Sequence, residues 1–246
     1  MYEFLKKKYG QNFLIDNNIL TKITQLIPNS NLNIIEIGPG DGRLTEYILK
    51  KKPSNLLLVE IDKGLIPLLK SKYSKSHKIQ ILNDNILNYE FNKKYDLVIS
   101  NLPYNISSQI LVKICLLKDI PEKLIFMFQK EFADRLTENK LNSLNSLVGC
   151  FFEIKTNFKV SKNCFRPIPK VDSKVILFSK KTKPLLDKIY INKFILFKRK
   201  LFSQKRKTLS NILKAFKDDL DEFDLSRRPE NLELKELILL FKKINL

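Results

Sequence analysis

The strongest constraint on the fold is a cluster of three glycines placed directly after a short apolar run. Asn33–Ile37 is rich in isoleucine, as a buried strand is, and a helical pattern begins near Arg43. Between them lie Gly38, Gly40 and Gly42, half of the six glycines in the chain. Because glycine lacks a Cβ, it lets the backbone turn tightly and approach a ligand closely. Strand, glycine turn and helix together predict the first unit of a Rossmann-like nucleotide site.

The spacing of these glycines distinguishes two kinds of nucleotide site. A dinucleotide fingerprint has glycines at its first, third and sixth positions, which would require a glycine where Arg43 stands. Here they occupy the first, third and fifth positions, behind the acidic Glu36. This is the form of the S-adenosylmethionine (SAM) loop of Rossmann-like methyltransferases. A plain strand-to-helix turn is the alternative, and residues farther along the chain argue for SAM.

Acidic residues end the next two predicted strands. Residues 56–62 form an apolar run ending in carboxylates, and Glu60 stands about 20 residues past the glycines, where an acid can accept hydrogen bonds from ribose hydroxyls. Residues 79–86 predict a third strand, and Asp84 near its end can accept from the exocyclic amine of an adenine. Open α/β sheets bind ligands at the carboxyl ends of their strands. Both acids are therefore predicted to bind the cofactor; for Glu60 the alternative is a solvated acid at the end of a strand.

A second motif follows a fourth predicted strand, residues 95–100, and begins at Asn101. The amino group of adenine is a poor nucleophile because its lone pair is delocalised into the ring. The Asn101 side-chain oxygen and a neighbouring backbone carbonyl could hold this amine without a strong base. Pro103 stiffens the turn, and Tyr104 offers a ring on which an extruded base can stack. The motif predicts methyl transfer to adenine; the alternative is a proline turn with a core tyrosine.

Later apolar runs complete the predicted sheet. Residues 124–128 predict a fifth buried strand, and residues 148–158 and 175–178 predict an antiparallel pair. Residues 165–169 are too rich in proline for a central strand and predict a loop over the site. Near the start of the chain, residues 16–18 predict the N-cap region of the first helix.

Net charge and residue types limit the partners. A net charge of +19 favours a polyanion, nucleic acid before membrane, although an AT-rich genome would also enrich lysine. The only histidine, His77, leaves little room for histidine-dependent catalysis or zinc, so no metal is predicted. Cys115, Cys150 and Cys164 lack metal-binding spacing and predict reduced thiols of a cytoplasmic protein. The chain also lacks an apolar run of about 18 residues, so no membrane span is expected.

The motifs together resemble those of the ribosomal RNA adenine N6,N6-dimethyltransferases, in particular the small-subunit (16S) enzymes of the KsgA type. The similarity covers nearly the whole chain, in order. Its segments are residues 8–14, 36–40, 59–62, 101–107, 129–131, 165–173, 204–209 and 228–232. The combination of these segments is specific to that family.

The resemblance implies an α/β fold with two domains. Residues 1–182 would form a Rossmann-like SAM-dependent methyltransferase domain, and residues 183–246, where the apolar pattern turns helical, a small all-helical domain. The implied reaction is dimethylation of N6 of two adjacent adenosines in the 3′-terminal hairpin loop of small-subunit rRNA, coupled to small-subunit biogenesis. The partner would be this rRNA within a pre-ribosomal particle, and the enzyme a monomer.

Family roles carry over to the matching positions. The residues implied to line the SAM site are Gln11, Asn12, Leu14, Gly38, Gly40, Glu60, Asp84 and Asn101. Those implied to hold the target adenine are Asn101, Leu102, Pro103 and Tyr104, with Phe165 covering its other face. Residues 137–147 depart from the family, which usually has a Pro-Gly turn and a Gly-Arg-Leu-Ser segment there, so RNA contacts in this region are not predicted.

Six basic residues are close together in the second predicted domain and are expected to contact phosphates from one helical stretch. They are Lys198, Arg199, Lys200, Lys205, Arg206 and Lys207. The alternative is a solvated face filled with lysine.

The same sequence features bear on three rival functions. A large-subunit (23S) adenine methyltransferase of the antibiotic-resistance type shares the main motifs, but Gly10, Pro39, Asn105 and Asp172 favour the small-subunit type. A second rival is a ribosome-assembly factor whose methylation is secondary; the intact SAM loop argues against lost catalysis and leaves a dual role open. A dehydrogenase is disfavoured by the glycine spacing.

Overall fold

The computed structural model describes residues 12–103, 105–204 and 206–245. In chain order the strands are β1 (Phe13–Leu14), β2 (Asn33–Ile37), β3 (Asn55–Glu60), β4 (Ile79–Asn83), β5 (Leu97–Asn101), β6 (Lys123–Gln129), β7 (Phe152–Val160), β8 (Phe165–Arg166) and β9 (Ser173–Lys180). The α-helices are α1 (Asn17–Gln25), α2 (Arg43–Leu49), α3 (Ile66–Tyr73), α4 (Ser107–Leu116), α5 (Lys130–Thr137), α6 (Asn145–Phe151), α7 (Ile191–Ser203), α8 (Leu209–Ile212) and α9 (Leu234–Asn245). Strands and helices alternate through the first half of the chain, as in α/β folds.

The chain divides into two compact units. The first runs to Ala133 and resumes over Ile154–Lys180, and the second comprises Asp134–Glu153 and the chain from Lys181 onward. The sequence placed the change of domain at residue 182, close to the start of this last segment. It also placed residues 134–153 in the first domain, whereas here they belong to the second unit.

The main sheet has seven strands in the order β4-β3-β2-β5-β6-β9-β7. The first five of these are parallel, and β9 pairs with β6 in the antiparallel direction. β1 and β8 form a separate antiparallel pair. The chain adds β3 and β4 on one side of β2 before it adds β5 and β6 on the other. This reversal is where open α/β sheets bind ligands, and the predicted Rossmann-like sheet is confirmed.

The central strands are apolar because both of their faces are covered. Residues 56–59 of β3 are at most 4% exposed, and Val98 and Ile99 of β5 are fully buried. A parallel strand covered on both sides needs a continuous apolar run, which is how these segments were predicted. β4, at the edge of the sheet, is only partly buried and mixes polar with apolar residues.

The first helix begins where its capping residue predicts. The Asp16 carboxylate accepts hydrogen bonds from the backbone N–H of Asn18 at 2.9 Å and of Ile19 at 3.0 Å. These bonds satisfy two donors that have no partner inside the helix. Leu20 and Ile23 of this helix are buried. The predicted N-cap region is confirmed.

The prediction of a strand beginning at residue 148 is wrong. Residues 145–151 form α6, and β7 begins only at Phe152. The side chains of Asn142 and Asn145 start this helix: Asn142 Oδ1 accepts from the Asn145 N–H at 3.0 Å, and Asn145 Oδ1 accepts from the Asn142 N–H at 2.7 Å. Every residue of α6 is buried, so apolar periodicity could not separate it from a buried strand.

The helical pattern predicted for the end of the chain is confirmed. Phe194 and Phe197 of α7 pack against Phe241 of α9, with ring centroids 5.2 and 5.5 Å apart. No α-helix in the described parts of the chain is both long and apolar enough to span a membrane.

Candidate active site

A cleft of about 350 Å³ lies in the first unit, at the carboxyl ends of β2, β3 and β5. This volume is within the usual range for small-molecule sites. The residues predicted for the cofactor that line it are Asn12, Leu14, Gly38, Gly40, Glu60 and Asn101. Leu102 and Pro103, predicted to hold the target base, also line it. The strand topology therefore brings separate stretches of sequence together around one cavity.

The glycine loop between β2 and α2 adopts a backbone conformation that favours glycine. Gly38, Gly40 and Gly42 have φ angles of +64°, +61° and +81°. A Cβ added to Gly40 would lie 2.6 Å from a ring carbon of Phe13, and one added to Gly42 would lie 2.7 Å from the Tyr73 hydroxyl. Residues with side chains would therefore clash or strain this wall of the cleft.

Glu60 at the end of β3 fastens the glycine loop to the sheet. Its carboxylate accepts from the Gly40 N–H at 3.0 Å and from the Asp62 N–H at 2.9 Å. Burial raises the pKa of Glu60, and these two backbone hydrogen bonds oppose that shift. A carboxylate has about four acceptor sites, so Glu60 can also accept from ligand hydroxyls.

Glu36 is a second buried acid of the cleft, and no role was predicted for it from the sequence. It precedes the first glycine of the loop by two positions, and this placement was the one feature of the sequence that could have indicated a role in the cleft. The Thr45 hydroxyl donates to Glu36 Oε2 at 2.6 Å. Burial raises the pKa of Glu36 to about 8, with smaller contributions from the charges of Glu60 and Asp41. Glu36 therefore holds its proton over much of the neutral pH range.

The Asn101 amide has a defined orientation at the end of β5. Its Nδ2 donates to the Asn12 carbonyl at 2.9 Å, so Oδ1 is the atom left to accept from a substrate amine. The following Leu102 N–H donates to the Met127 carbonyl of β6 at 3.3 Å. Asn101 and the backbone after it are thus held from two sides, by the chain before β1 and by the neighbouring strand.

The loop after β4 is fixed by a lysine from α4. Lys113 Nζ donates to the backbone carbonyls of Leu87 and Tyr89 at 2.7 and 2.6 Å. Asn85 lines the cleft, and the Asp84 carboxylate beside it accepts from the Asn85 N–H at 2.7 Å. The cofactor contact predicted for Asp84 stays a prediction.

Three of the predicted site residues, Gln11, Tyr104 and Lys205, lie outside the described residues. Phe165 pairs with Leu14 across the β8–β1 ladder and is fully buried in the core of the first unit. Its contact with the target adenine also stays a prediction.

The prediction of one basic helical stretch is wrong. α7 ends at Ser203, so Arg206 and Lys207 follow it in a turn and loop. Lys198 is only 4% exposed, and its Nζ donates to the carbonyl and the hydroxyl of Ser143 at 2.6 and 3.0 Å. It lies on the buried stripe of α7, one helical turn from Phe194, and cannot join an exposed phosphate-binding face.

The remaining described members of the cluster are exposed: Arg199, Lys200, Arg206 and Lys207.

Similarity to known proteins agrees with this geometry. A family model described as ribosomal RNA adenine dimethylase matches residues 3–229. The chain belongs to the ribosomal RNA adenine dimethylase family. This dimethylase is 39% identical to the ribosomal RNA small subunit methyltransferase A of Mycoplasma mobile, over 98% of each chain. It is 41% identical to the protein of the same name in Malacoplasma penetrans, over 96% of this chain and 90% of the relative.

Solved structures share the fold of this dimethylase. A dimethyladenosine transferase from Plasmodium falciparum matches with a TM-score of 0.83 and 26% identity, over 94% of this chain and 98% of that one. The 23S rRNA methyltransferase ErmE matches with a TM-score of 0.77 and 23% identity, over 95% and 100%. At that identity the second match shows the fold alone.

The dimethylase uses SAM as its methyl donor, and the cleft suits this cofactor. Glu36, Asp41 and Glu60 line it, whereas Arg43 is the one basic side chain among its described lining residues and donates to Asp41 at 2.7 Å. Carboxyl groups can accept hydrogen bonds from the ammonium and the ribose hydroxyls of SAM. When bound, SAM supplies a methyl group on a sulfonium, which an amine can displace.

Proposed function

We propose that this dimethylase methylates N6 of two adjacent adenosines in the 3′-terminal hairpin loop of small-subunit rRNA, twice on each. The observation that carries the proposal is the orientation of Asn101 at the cleft. A side chain whose nitrogen is occupied by Asn12 presents an acceptor oxygen, which is what an amino-group substrate requires. The family and the small-subunit methyltransferases A, similar over nearly the whole chain, support the substrate.

The chemistry assigned to the protein is chiefly positioning. Asn101 Oδ1 and the Leu102 carbonyl would accept the two hydrogens of the adenine amine and turn its lone pair toward the methyl group. Bound SAM would supply the methyl group and leave as a neutral thioether, while Asn101 and Leu102 would hold the amine as it forms the new N–C bond and gives one proton to solvent. Correct alignment of two bound reactants can supply much of such an acceleration.

We also propose that the enzyme acts as a cytoplasmic monomer on a pre-ribosomal particle. The net charge of +19 supports an RNA-rich partner, since phosphate contacts provide much of the affinity of proteins for nucleic acids. Arg199, Lys200, Arg206 and Lys207 are exposed and would supply such contacts in the second unit.

The test is methylation of small-subunit particles isolated from a strain that lacks the enzyme. The purified chain is incubated with these particles and isotopically labelled SAM, and the rRNA is digested and analysed by mass spectrometry. We expect two adjacent N6-dimethyladenosines near the 3′ end of the small-subunit rRNA. Large-subunit particles from the same strain serve as the matched substrate. Methylation of large-subunit rRNA alone would overturn the proposal in favour of the 23S alternative.

A further inference from the structure

The loop between β8 and β9, residues 167–172, joins two elements at the rim of the cleft. At its start, Arg166 pairs with the strand β1, whose residues line the cleft. At its end, Ser173 pairs with Gln129 at the carboxyl end of β6. β6 is the neighbour of β5, the strand that ends at Asn101. The loop is therefore attached on both sides close to the residue that would hold the substrate amine.

This rim loop is anchored by hydrogen bonds. The Asp172 carboxylate accepts from the Lys162 N–H at 2.9 Å, and the Asp172 carbonyl accepts from the Lys130 N–H, also at 2.9 Å. The Pro169 ring, in the middle of the loop, is buried. A loop held in this way presents its remaining side chains from a defined position.

The side chains that the rim loop presents are apolar and basic. Ile168 is 54% exposed and Val171 is 43% exposed, only three positions apart. Single exposed apolar residues are common, but these two share one short anchored loop beside the cleft, where they could meet a bound substrate. Lys170 lies between them in sequence, and Arg166 stands just before the loop; both are also exposed. Apolar side chains flanked by cations fit an RNA strand, because the cations meet phosphates and the apolar groups meet bases.

We propose that Ile168 and Val171 form an apolar wedge that enters the base stack next to the target adenosine and holds that base in the cleft. Lys170 contacts the adjacent phosphate. The inference rests on the proposed function and names the part of the enzyme that separates one adenosine from its neighbour. A wedge is needed because an adenine amine cannot reach Asn101 while its ring stays stacked in the RNA loop. Two adjacent targets require this separation twice.

The central test is the double variant Ile168→Ala/Val171→Ala. Its matched control is Leu68→Ala/Leu116→Ala, which removes apolar side chains that are 47% and 44% exposed elsewhere in the first unit. Single-turnover methylation is measured on small-subunit particles from the strain that lacks the enzyme. We expect the rate to fall about tenfold or more in the wedge variant. Without the two apolar side chains, no contact offsets the free energy that is lost when the base leaves the stack. The control variant should keep the parent rate, and the conservative variant Ile168→Leu/Val171→Ile, which preserves apolar side chains at both positions, should be faster than the alanine variant.

A second readout reports the stacking itself. A hairpin RNA with the target loop sequence carries 2-aminopurine beside one target adenosine, and its fluorescence increases when the base unstacks. With saturating enzyme we expect this increase for the parent and the control variant but not for Ile168→Ala/Val171→Ala. If the two residues had a purely structural or purely affinity-based role, the bound double variant would show the same fluorescence increase as the parent. In a salt titration of particle binding, Lys170→Gln should lower the log–log slope by roughly 0.7–0.9, the change expected when one phosphate is no longer neutralised.

Two results would overturn the wedge. One is an unchanged single-turnover rate in the double variant. The other is a rate that falls only in proportion to particle affinity, with normal fluorescence in the bound complex, which would mean that a protein or an unrelated RNA segment docks on the loop. Failure of the proposed function is distinguishable, because then the parent enzyme itself would not dimethylate the particles.

Discussion

Asn101 is held by a hydrogen bond that determines which of its amide atoms can meet a substrate. If Oδ1 accepts from the adenine amine, Asn101→Ala should lower the single-turnover rate by about 10²–10³, similar to the loss of one oriented polar group in other active sites. The measurement is rapid-quench methylation of small-subunit particles. Asn88→Ala, at an exposed position outside the cleft lining, is the control and should keep the parent rate. A near-normal rate in Asn101→Ala would refute the role given to the amide.

Glu36 couples the stability of the protein to pH. Its pKa is raised from 4.5 to about 8 in the folded chain, so the folded state holds a proton that the unfolded state releases. The stabilisation is fully present below pH 4.5 and is lost as pH rises through about 8. Over that interval the loss is on the order of 5 kcal/mol, the free energy of a shift of this size.

The variant Glu36→Gln tests this linkage, because glutamine can still accept from Thr45 but cannot ionise. Without bound cofactor, the parent should lose melting temperature relative to the variant between pH 5 and pH 8, and the difference should level off above about pH 8. Thermal melts across this range give the comparison. Parallel curves for the two proteins would show that Glu36 does not hold its proton.

At the scale of single residues, the sequence predicted those cleft residues that can be recognised by their spacing within one short stretch of chain. Gly38, Gly40 and Glu60 stand at fixed distances along one strand–turn–helix–strand unit, and all three line the cleft. The state of Glu36 could not be predicted in the same way. Its pKa depends on burial and on Thr45, and both depend on how α2 packs against β2.

At the scale of elements, α1 is a helix whose first turn depends on one capping side chain. Asp16→Ala removes the acceptor for two backbone N–H groups at the start of that helix. We expect a loss of about 1 kcal/mol in the free energy of unfolding, the usual effect of losing an N-cap. Asp16→Asn should recover most of it, since asparagine caps about equally well. Urea unfolding followed by circular dichroism measures both, and equal midpoints for parent and Asp16→Ala would contradict the capping role.

The two wrong predictions at this scale have different origins. α6 is buried on every side, so its apolar residues repeat with neither the helical nor the strand period and the pattern cannot distinguish the two. The reciprocal hydrogen bonds between Asn142 and Asn145 that start the helix were not recognised in the sequence. For α7 the signal was present in the sequence. Lys198 follows Phe194 by four positions and precedes Leu201 by three, so helical spacing already puts it on the apolar face.

The whole molecule carries a large positive charge. Cations that contact RNA phosphates can be distinguished by experiment from lysines and arginines that only cover a solvated face. In the variant Arg199→Gln/Lys200→Gln/Arg206→Gln/Lys207→Gln, particle binding should weaken and the log–log salt slope should fall by roughly 0.7–0.9 for each phosphate that is no longer neutralised. Lys198→Met is the control: it removes one positive charge that is buried against Ser143, so the slope should not change. Fluorescence titrations at several salt concentrations give the particle affinity of each variant and hence its log–log slope. A slope that stays constant in the fourfold variant would assign these cations to a solvated face.

At the scale of the whole molecule, the resemblance of ordered motifs predicted the family and the sheet. The division of the chain was harder to predict, because residues 134–153 belong with a unit that is otherwise formed by the chain from Lys181 onward. Such membership is decided by contacts between distant residues, for example the Leu141 N–H that donates to the Glu230 carbonyl at 3.0 Å. No local pattern around residue 141 indicates that partner.

The pairing of β6 with β9 has a consequence for the synthesis of this protein. Residues 124–128 of β6 are almost completely buried in the finished sheet, yet one of their neighbours is supplied by Ser173–Lys180. A nascent chain that has emerged only as far as residue 172 therefore has β6 with an apolar, unpaired edge, the kind that invites misassociation. Translation must therefore extend as far as Lys180, about 80 residues past the Asn101 motif, before the sheet of the first unit can close.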